Sequence, residues 1–229
     1  MPPKRSAKLE CAFKQFIHTH DYPCVGAKSA LAKGNIQILT VGNLASGADD
    51  LAIYEYLNMQ ARQYDYSRRI FQSLAILFCD DSRRSEKDFE KALWQRLQAL
   101  SDIDKNRGYE HDQKVSCNPA DPNFAMSFSG AAFFVVGIHP NASRPARQFT
   151  HPAIIFNIHD QFEQMRSTGL YQQLQKTISE RDMAFAGSRN PMLAPHGSIS
   201  AARQYSGRAV DNDWTCPFRR NPEMKSDDL

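Results

Sequence analysis

Two histidines stand at the ends of apolar runs, where a buried strand would deliver a side chain able to bind a metal or transfer a proton. His139 closes the run AAFFVVGI, and His159 closes the run AIIFNI. The segment between the two runs carries Ser143, Arg144 and Arg147. Neutral imidazole is the commonest metal ligand among side chains, and two guanidinium groups can bind a carboxylate or a phosphate bidentately. The pattern predicts one site that combines these chemistries.

Simpler roles for the same residues stay open at this point. A histidine at the end of a strand can hydrogen-bond to the backbone and serve the fold alone. Arg144 and Arg147, three residues apart, can equally be a solvated pair on the surface. The sequence by itself does not separate these alternatives.

Cys24 is a further candidate ligand. It follows a proline and begins the helical string CVGAKSALAKG, and the macrodipole at the start of a helix lowers the pKa of a thiol. Its spacing, C-x-G-x-x-x-A, is similar to the ligand loop of thiolate-ligated haem monooxygenases. The alternative is a buried cysteine that contributes only packing.

A polar string near the C-terminus, ARQYSGR, has the side chains needed to hold an anionic ligand. Arg203, Tyr205 and Arg208 lie inside a segment that has almost no apolar periodicity. The alternative is a solvated loop.

The composition is typical of a soluble globular protein, with 229 residues, 41% hydrophobic and 23% charged. This length fits one large domain or two small ones. The net charge is +3 without a basic stripe, which argues against a nucleic-acid partner. No run is apolar enough to span a membrane, and the basic start MPPKRSAK lacks the apolar segment of a secretion signal.

Several common site types lack support in the sequence. The five cysteines are scattered without a CxxC pair, which argues against a disulfide framework or a structural zinc site and points to a reducing cytoplasm. The chain has no GxGxxG, Walker loop or HExxH motif, so dinucleotide, P-loop and zincin sites are not indicated.

Periodicity and turn residues predict alternating helices and strands. Helices are predicted at 9–17, 49–62, 86–100 with Ser85 as N-cap, within 160–183 with a break at Gly169, and in a short segment closed by Gly34. Strands are predicted at 36–41, 71–79, 124–138 and 152–158. Polar composition predicts long loops at 101–123 and from residue 184 onward.

These elements predict an α+β single domain with a mixed or mainly antiparallel sheet packed by helices. We expect a flexible basic N-terminus at residues 1–8, one domain at 9–218 and a frayed tail at 219–229. The helices and strands alternate without a strict βαβ period, and the two strongest strands are adjacent in the chain.

Several strings, taken in order, resemble the YqcI/YcgG family. They are YPCVGAKSAL, DFEKALWQRLQAL, FFVVGIHPNASRPARQF, PAIIFNIHDQFEQMRSTGLY, SERDMAFAGSRNPML, ARQYSGR and WTCPF. Together they cover roughly residues 10 to 218. The middle strings are long enough to be specific.

The resemblance implies a haem-dependent N-oxygenase that hydroxylates an amine or guanidine nitrogen of an amino acid such as arginine or lysine. The implied cofactor is haem b, and the implied partners are a small-molecule amine or amino-acid substrate, dioxygen and an electron donor of unspecified identity. A membrane partner is not implied, and a homodimer stays an open option. One departure is Ala201, where family members often carry an acidic residue before ARQYSGR, and it puts an arginine-like substrate in doubt.

The same resemblance suggests roles for individual residues. For the axial ligand of the haem iron, we rank His139 first because it ends the most buried strand, His159 second and Cys24 third. The expected propionate or pocket residues are Ser143, Arg144, Arg147, Phe149 and Phe156, with Phe133 and Phe134 as further apolar walls. The expected substrate-binding residues are Asn157, Asn190, Arg203, Tyr205, Ser206 and Arg208.

Two other functions stay open. The first is a haem-binding or gas-sensing protein that turns over no substrate. The second makes the segment from His139 to His159 a metal or phosphate-ester site without haem.

Overall fold

A five-stranded mixed sheet organises the chain in this computed structural model, which describes residues 3–67, 70–194 and 197–220. The strands are β1 (Ile36–Val41), β2 (Ser73–Phe78), β3 (Met126–Phe128), β4 (Ala131–Ile138) and β5 (Ala153–Ile158). The helices are α1 (Pro3–His18), α2 (Val25–Ala32), α3 (Asp50–Gln63), α4 (Glu86–Asn106), α5 (Asp160–Ser167), α6 (Leu170–Ala186) and α7 (Ala202–Tyr205).

The strand order is β1-β2-β5-β4-β3. Only β1 and β2 are parallel, and the other three pairs are antiparallel. In the central pair, Phe133 lies opposite Ile158, and Ile138 lies opposite Ala153. The predicted α+β class with a mixed, mainly antiparallel sheet is confirmed.

The prediction of one long strand over 124–138 is wrong, because the segment folds into the β3–β4 hairpin. Ser129 and Gly130 form its two-residue turn with φ values of 53° and 74°, and two-residue hairpin turns of this kind suit the right-handed twist of the strands. Because β3 pairs only with the first three residues of β4, the rest of β4 has a strand neighbour on one side alone.

Alternate side chains of β5 pack into cores on the two faces of the sheet. Phe156 packs with Phe133 and with residues of α3 and α4, including Leu93. Ala153 packs with Phe13 and Ile17 of α1 on the other face. Burying each large apolar side chain contributes about 1.5–3 kcal/mol, so the strict alternation along β5 fixes which face each residue occupies.

The ends of the helices follow local signals in part. Ser85 accepts a hydrogen bond from the backbone N–H of Asp88 at 3.2 Å, as a capping residue does. Helix α4 continues to Asn106, past the predicted end at residue 100, because Asp104 is buried and accepts hydrogen bonds from the Tyr54 hydroxyl and the Ser129 N–H.

The N-terminal end of the chain differs from the prediction, and most of the predicted C-terminal tail lies outside the described residues. Residues 3–8, predicted to be flexible, form the first turns of α1. Residues 221–229, most of the predicted tail, lie outside the described residues. No helix in the described part of the chain is long and apolar enough to cross a bilayer.

Candidate functional site

The structure does not bring the two strand-end histidines together. Since β4 and β5 are antiparallel, their C-terminal ends lie at opposite edges of the ladder. His139 follows Ile138 at one edge, and the His159 N–H donates to the Ala132 carbonyl at 2.8 Å at the other. The separation is about seven residues of strand, or roughly 23 Å. The single site predicted for the segment between them is therefore not formed.

His139 is a core residue on the α4 face. It is 2% exposed, and its ring stacks on Phe89 with the centroids 4.2 Å apart. Its Nδ1 has no hydrogen-bond partner among the described residues. Burial lowers the pKa of His139 to about 4, with Glu86 partly opposing and Arg147 adding to the effect. It lines none of the cavities described below.

His159 lies in the wall of a mainly apolar cavity. The cavity has a volume of about 250 Å³ and lies between the α5–α6 pair, the segment around residue 199 and β4. The side chain of His159 is 15% exposed, and its Nδ1 is 3.5 Å from a carboxylate oxygen of Glu163. The apolar lining includes Phe124, Phe134, Phe162, Leu174, Ile178, Leu193 and Ile199.

Two guanidinium groups complete the wall of this cavity. Arg147 is half-buried and donates to the carbonyls of Gly137 at 3.1 Å and Tyr205 at 3.2 Å. Loss of hydration on burial lowers the pKa of Arg147 to about 10. Arg166 pairs with Glu163 and lies over the ring of Tyr171 at 4.4 Å. Among the described residues, no carboxylate lines the cavity.

A polar chamber adjoins the apolar cavity at His159. Its volume is about 290 Å³, and its carboxylates are Asp112, Asp160 and Glu163. His159 and Asn123 line both spaces. The imidazole thus stands between an apolar cavity with two cations and a polar chamber with three carboxylates.

Cys24 differs from its predicted electrostatics. It is the N-cap of α2, and its Sγ accepts from the Ala27 N–H at 3.4 Å. Burial nevertheless raises the pKa of the Cys24 thiol, because the loss of hydration outweighs the helix-end hydrogen bonds. The predicted lowering is wrong, and Cys24 does not line the cavity at His159.

The other predicted pocket residues are spread over different parts of the fold. Arg144 pairs with Asp182 of α6 and donates to the hydroxyl of Ser188 at 3.0 Å. Ser143 is exposed, and its backbone N–H donates to Glu86. Phe149 and Phe156 pack in the two cores on opposite faces of the sheet. Neither phenylalanine lines the cavity.

The predicted substrate residues make internal contacts. The Arg208 guanidinium donates twice to Glu90, at 2.9 and 2.7 Å, and the Ser206 hydroxyl donates to the same carboxylate at 3.1 Å. Arg203 donates to backbone carbonyls of residues 210, 211 and 214. Tyr205 is fully buried and covers the open side of β4.

Two further predicted substrate residues are also engaged inside the chain. The Asn157 amide oxygen accepts from the Ser73 hydroxyl at 2.7 Å. The amide oxygen of Asn190 accepts from the Met192 N–H at 3.0 Å. In both cases the side chain makes a hydrogen bond within the fold, and neither residue lines the cavity.

Most residues of the cavity wall were not among the site residues predicted from the sequence. Leu174 and Ile178 follow helical spacing on α6, which predicts a buried face but does not distinguish a core from a cavity. Ala201, marked in the sequence only as a departure from a family pattern, lines the cavity beside Gln204.

The chemistry of the lining fits haem, whereas the volume is small for it. Haem requires an axial ligand, an apolar slot and cationic partners for its propionates, and His159, the aromatic walls and the two arginines match that set. A volume of about 250 Å³ is below the usual range of ligand pockets, roughly 300–1,000 Å³. A porphyrin would therefore require α6 and the segment after it to move outward.

Comparison with known proteins gives one match. The model of the YqcI/YcgG family matches residues 13–219. No curated protein and no solved structure matches the chain. Within the described residues, no group of three or more His, Cys, Asp or Glu side chains is placed to hold a metal ion.

Proposed function

This chain belongs to the YqcI/YcgG family, and we propose that it is a haem-dependent N-oxygenase in which His159 would hold the haem iron. One observation carries the proposal. An imidazole stands in the wall of an apolar cavity that also contains two guanidinium groups and no carboxylate among the described residues. We place His159 ahead of His139 because His139 is stacked in the core against Phe89.

The proposed contacts follow from the lining. His159 would bind the iron, Phe134 and Phe162 would flank the macrocycle, and Arg147 and Arg166 would pair with its propionates. When bound, haem activates dioxygen for oxidation of a substrate nitrogen. The aromatic and aliphatic walls give the cavity a mainly apolar lining.

Glu163 has an orienting role in this proposal. Its carboxylate oxygen is 3.5 Å from Nδ1 of His159. A carboxylate on the other ring nitrogen fixes the tautomer and raises the basicity of a metal-bound histidine.

Entry of haem requires α6 to move, and its packing favours such a movement. Asp182 is the one buried residue of α6, while Leu170 and Met183 are 52% and 46% exposed. A helix held by so little burial opens at a low cost in free energy. We expect haem to lower the hydrogen exchange of α6 once the cavity has closed around it.

We propose an amine or amino-acid substrate, with dioxygen and an electron donor as co-reactants and the cytoplasm as the compartment. Ala201 gives the cavity an apolar wall, and no described residue of that wall offers a carboxylate to a cationic substrate. The carboxylates of the adjoining polar chamber, Asp112, Asp160 and Glu163, are groups able to attract a protonated nitrogen.

The first test is the absorption spectrum of protein expressed with a haem precursor. We expect a Soret band in the wild type that is lost or shifted in His159→Ala and regained when imidazole is added. His139→Ala and Cys24→Ala serve as matched controls and should keep the wild-type band position. Haem-free wild type, or a band that depends on His139 or Cys24 instead, contradicts the assignment.

The second test is turnover of amines by the loaded protein with a chemical electron supply. Hydroxylamine products from one amine in a panel of amino acids support the oxygenase. A normal Soret band with no oxidised nitrogen product supports the alternative, a haem-binding or gas-sensing protein. Circular dichroism of each variant separates loss of haem from loss of fold.

A further inference from the structure

The strand β1 lies at one edge of the sheet and pairs with β2 alone. The Ser73 N–H donates to the Asn35 carbonyl at 3.1 Å, and the Cys79 N–H donates to the Val41 carbonyl at 2.9 Å. Since successive residues of a strand direct their backbone groups to opposite sides, the odd-numbered residues of β1 bond to β2. The backbone groups of the even-numbered residues point outward, and no described residue is hydrogen-bonded to them.

The sequence of β1 has none of the features that discourage the addition of a further strand. Edge strands in soluble proteins are usually very short, bulged, covered, or interrupted by charged residues or proline. All six residues of β1 pair in register with β2, and residues 34–48 contain no charged residue and no proline. By contrast, β3 at the opposite edge has three residues, and Tyr205 covers the open side of β4. We therefore expect β1 to be paired in solution.

The outward-pointing residues of β1 also leave apolar surface partly open. They are Ile36, Ile38 and Thr40, and all three are half-buried. Ile36 and Ile38 lie at the border of the core on the α1 face. A strand added to this edge would cover the isoleucine side chains and remove more apolar area from water.

A second copy of the same strand matches this edge. Two antiparallel copies of β1, related by a two-fold axis at Ile38, place Ile38 opposite Ile38 of the second copy and Ile36 opposite its Thr40. Each of these pairs exchanges two hydrogen bonds, as hydrogen-bonded pairs of an antiparallel ladder do. Every outward N–H and carbonyl of β1 then has a partner. Such a contact closes on itself, as two-fold symmetric dimers require.

The charges at the two ends of β1 are complementary in this arrangement. Lys33, which is exposed, precedes the strand. Asp49 lies at the other end, where its carboxylate accepts from the Gly42 N–H at 2.9 Å. The antiparallel register brings Lys33 of one copy to the end of the strand that carries Asp49 of the second copy. The cation at that end, Arg84, is already paired with Asp80.

We propose that the protein forms a two-fold symmetric homodimer through β1, in which the two sheets join into one continuous sheet. The inference is independent of the haem proposal, because no residue of β1 lines the cavity at His159 or the polar chamber. These spaces adjoin β4 and β5, away from the shared edge. Each copy would therefore keep its own site.

The first test is the mass of the full chain in solution, measured by size-exclusion chromatography with light scattering at micromolar concentrations. We expect a dimer for the wild type. Ile38→Pro removes the outward N–H of both copies without removing a bond to β2, so it should raise the dissociation constant of the dimer at least about tenfold. Ile38→Ala is the matched control, since it loses the side chain but keeps the N–H, and it should weaken the dimer less. Circular dichroism checks that both variants are folded.

The second test locates the two-fold axis by disulfide cross-linking and does not depend on proline. In the proposed register, the Cα atoms of the two Ile38 residues are about 5.5 Å apart, within the range of a disulfide. The two Ile36 residues are roughly 14 Å apart, because each lies four residues along the strand from the other. Under mild oxidation, Ile38→Cys should form a covalent dimer, whereas Ile36→Cys and the wild type should not.

Three results overturn the proposal. The first is a wild type that stays monomeric, which would assign the edge of β1 to a different partner or to none. The second is a wild-type dimer that folded Ile38→Pro leaves unchanged, which would place the interface elsewhere. The third is cross-linking of Ile36→Cys that equals or exceeds that of Ile38→Cys.

Discussion

Replacing His139 by phenylalanine should reduce the loss of stability that the protein suffers on acidification. The ring is buried against Phe89, and burial lowers its pKa from 6.5 in the unfolded chain to about 4 in the folded chain. Between those values the unfolded state binds the proton and the folded state does not. Stability therefore falls as the pH drops through this window and is full above pH 6.5.

The magnitude follows from the two pKa values. Their difference lowers the free energy of unfolding by about 2 kcal/mol between about pH 7.5 and about pH 5. Burial and the charge of Arg220 lower the pKa of His111 to about 4. His111 therefore causes a similar loss of stability on acidification, and this loss remains in His139→Phe.

The assay is urea denaturation of haem-free wild type and His139→Phe at both pH values. We expect the difference between the two pH values to shrink by about 1–2 kcal/mol in the variant. Comparing pH differences removes the effect of the larger ring on packing. His18→Phe, at an exposed position of α1, is the control. Equal pH differences in wild type and His139→Phe would refute the assignment of His139 as a buried neutral residue.

Three further substitutions test the packing and the cavity. Glu90→Gln leaves the half-buried Arg208 without its carboxylate and should cost about 1–3 kcal/mol in urea denaturation. A cost below about 0.5 kcal/mol would show that the pair is dispensable. Gly137→Ala would place a Cβ 2.6 Å from the side chain of Leu93 and should lower the free energy of unfolding by about 1–3 kcal/mol. An unchanged melting temperature would contradict that crowding. Ala201→Trp should fill the cavity and reduce haem loading at least about tenfold in spectral titration, while full loading with normal circular dichroism would place haem elsewhere.

The sequence was sufficient for elements whose signals are local. Ser85 and Asp88 marked the start of α4, and Gly34 and Gly169, both with positive φ, marked the ends of two helices. Ile36–Val41 was predicted with its observed bounds. These successes share a cause, since capping and turn preferences act within a few residues.

The site could not be predicted because it depends on long-range pairing. The antiparallel register of β4 and β5 separates His139 from His159, and no local signal states that register. The end of α4 was missed for a related reason. Asp104 is polar and yet faces inward, where its partner Tyr54 lies fifty residues away in the chain.

The uneven length of the hairpin strands has a consequence for solubility. Because β3 pairs only with Ala131–Phe133, the remainder of β4 presents backbone groups that could recruit a strand from another molecule. Arg147 donates to the Gly137 carbonyl, and Tyr205 packs over the same side. Arg147 and Tyr205, both predicted to bind ligands, thus also hinder the addition of a strand from another molecule. Chains that lose these side chains would be prone to aggregate.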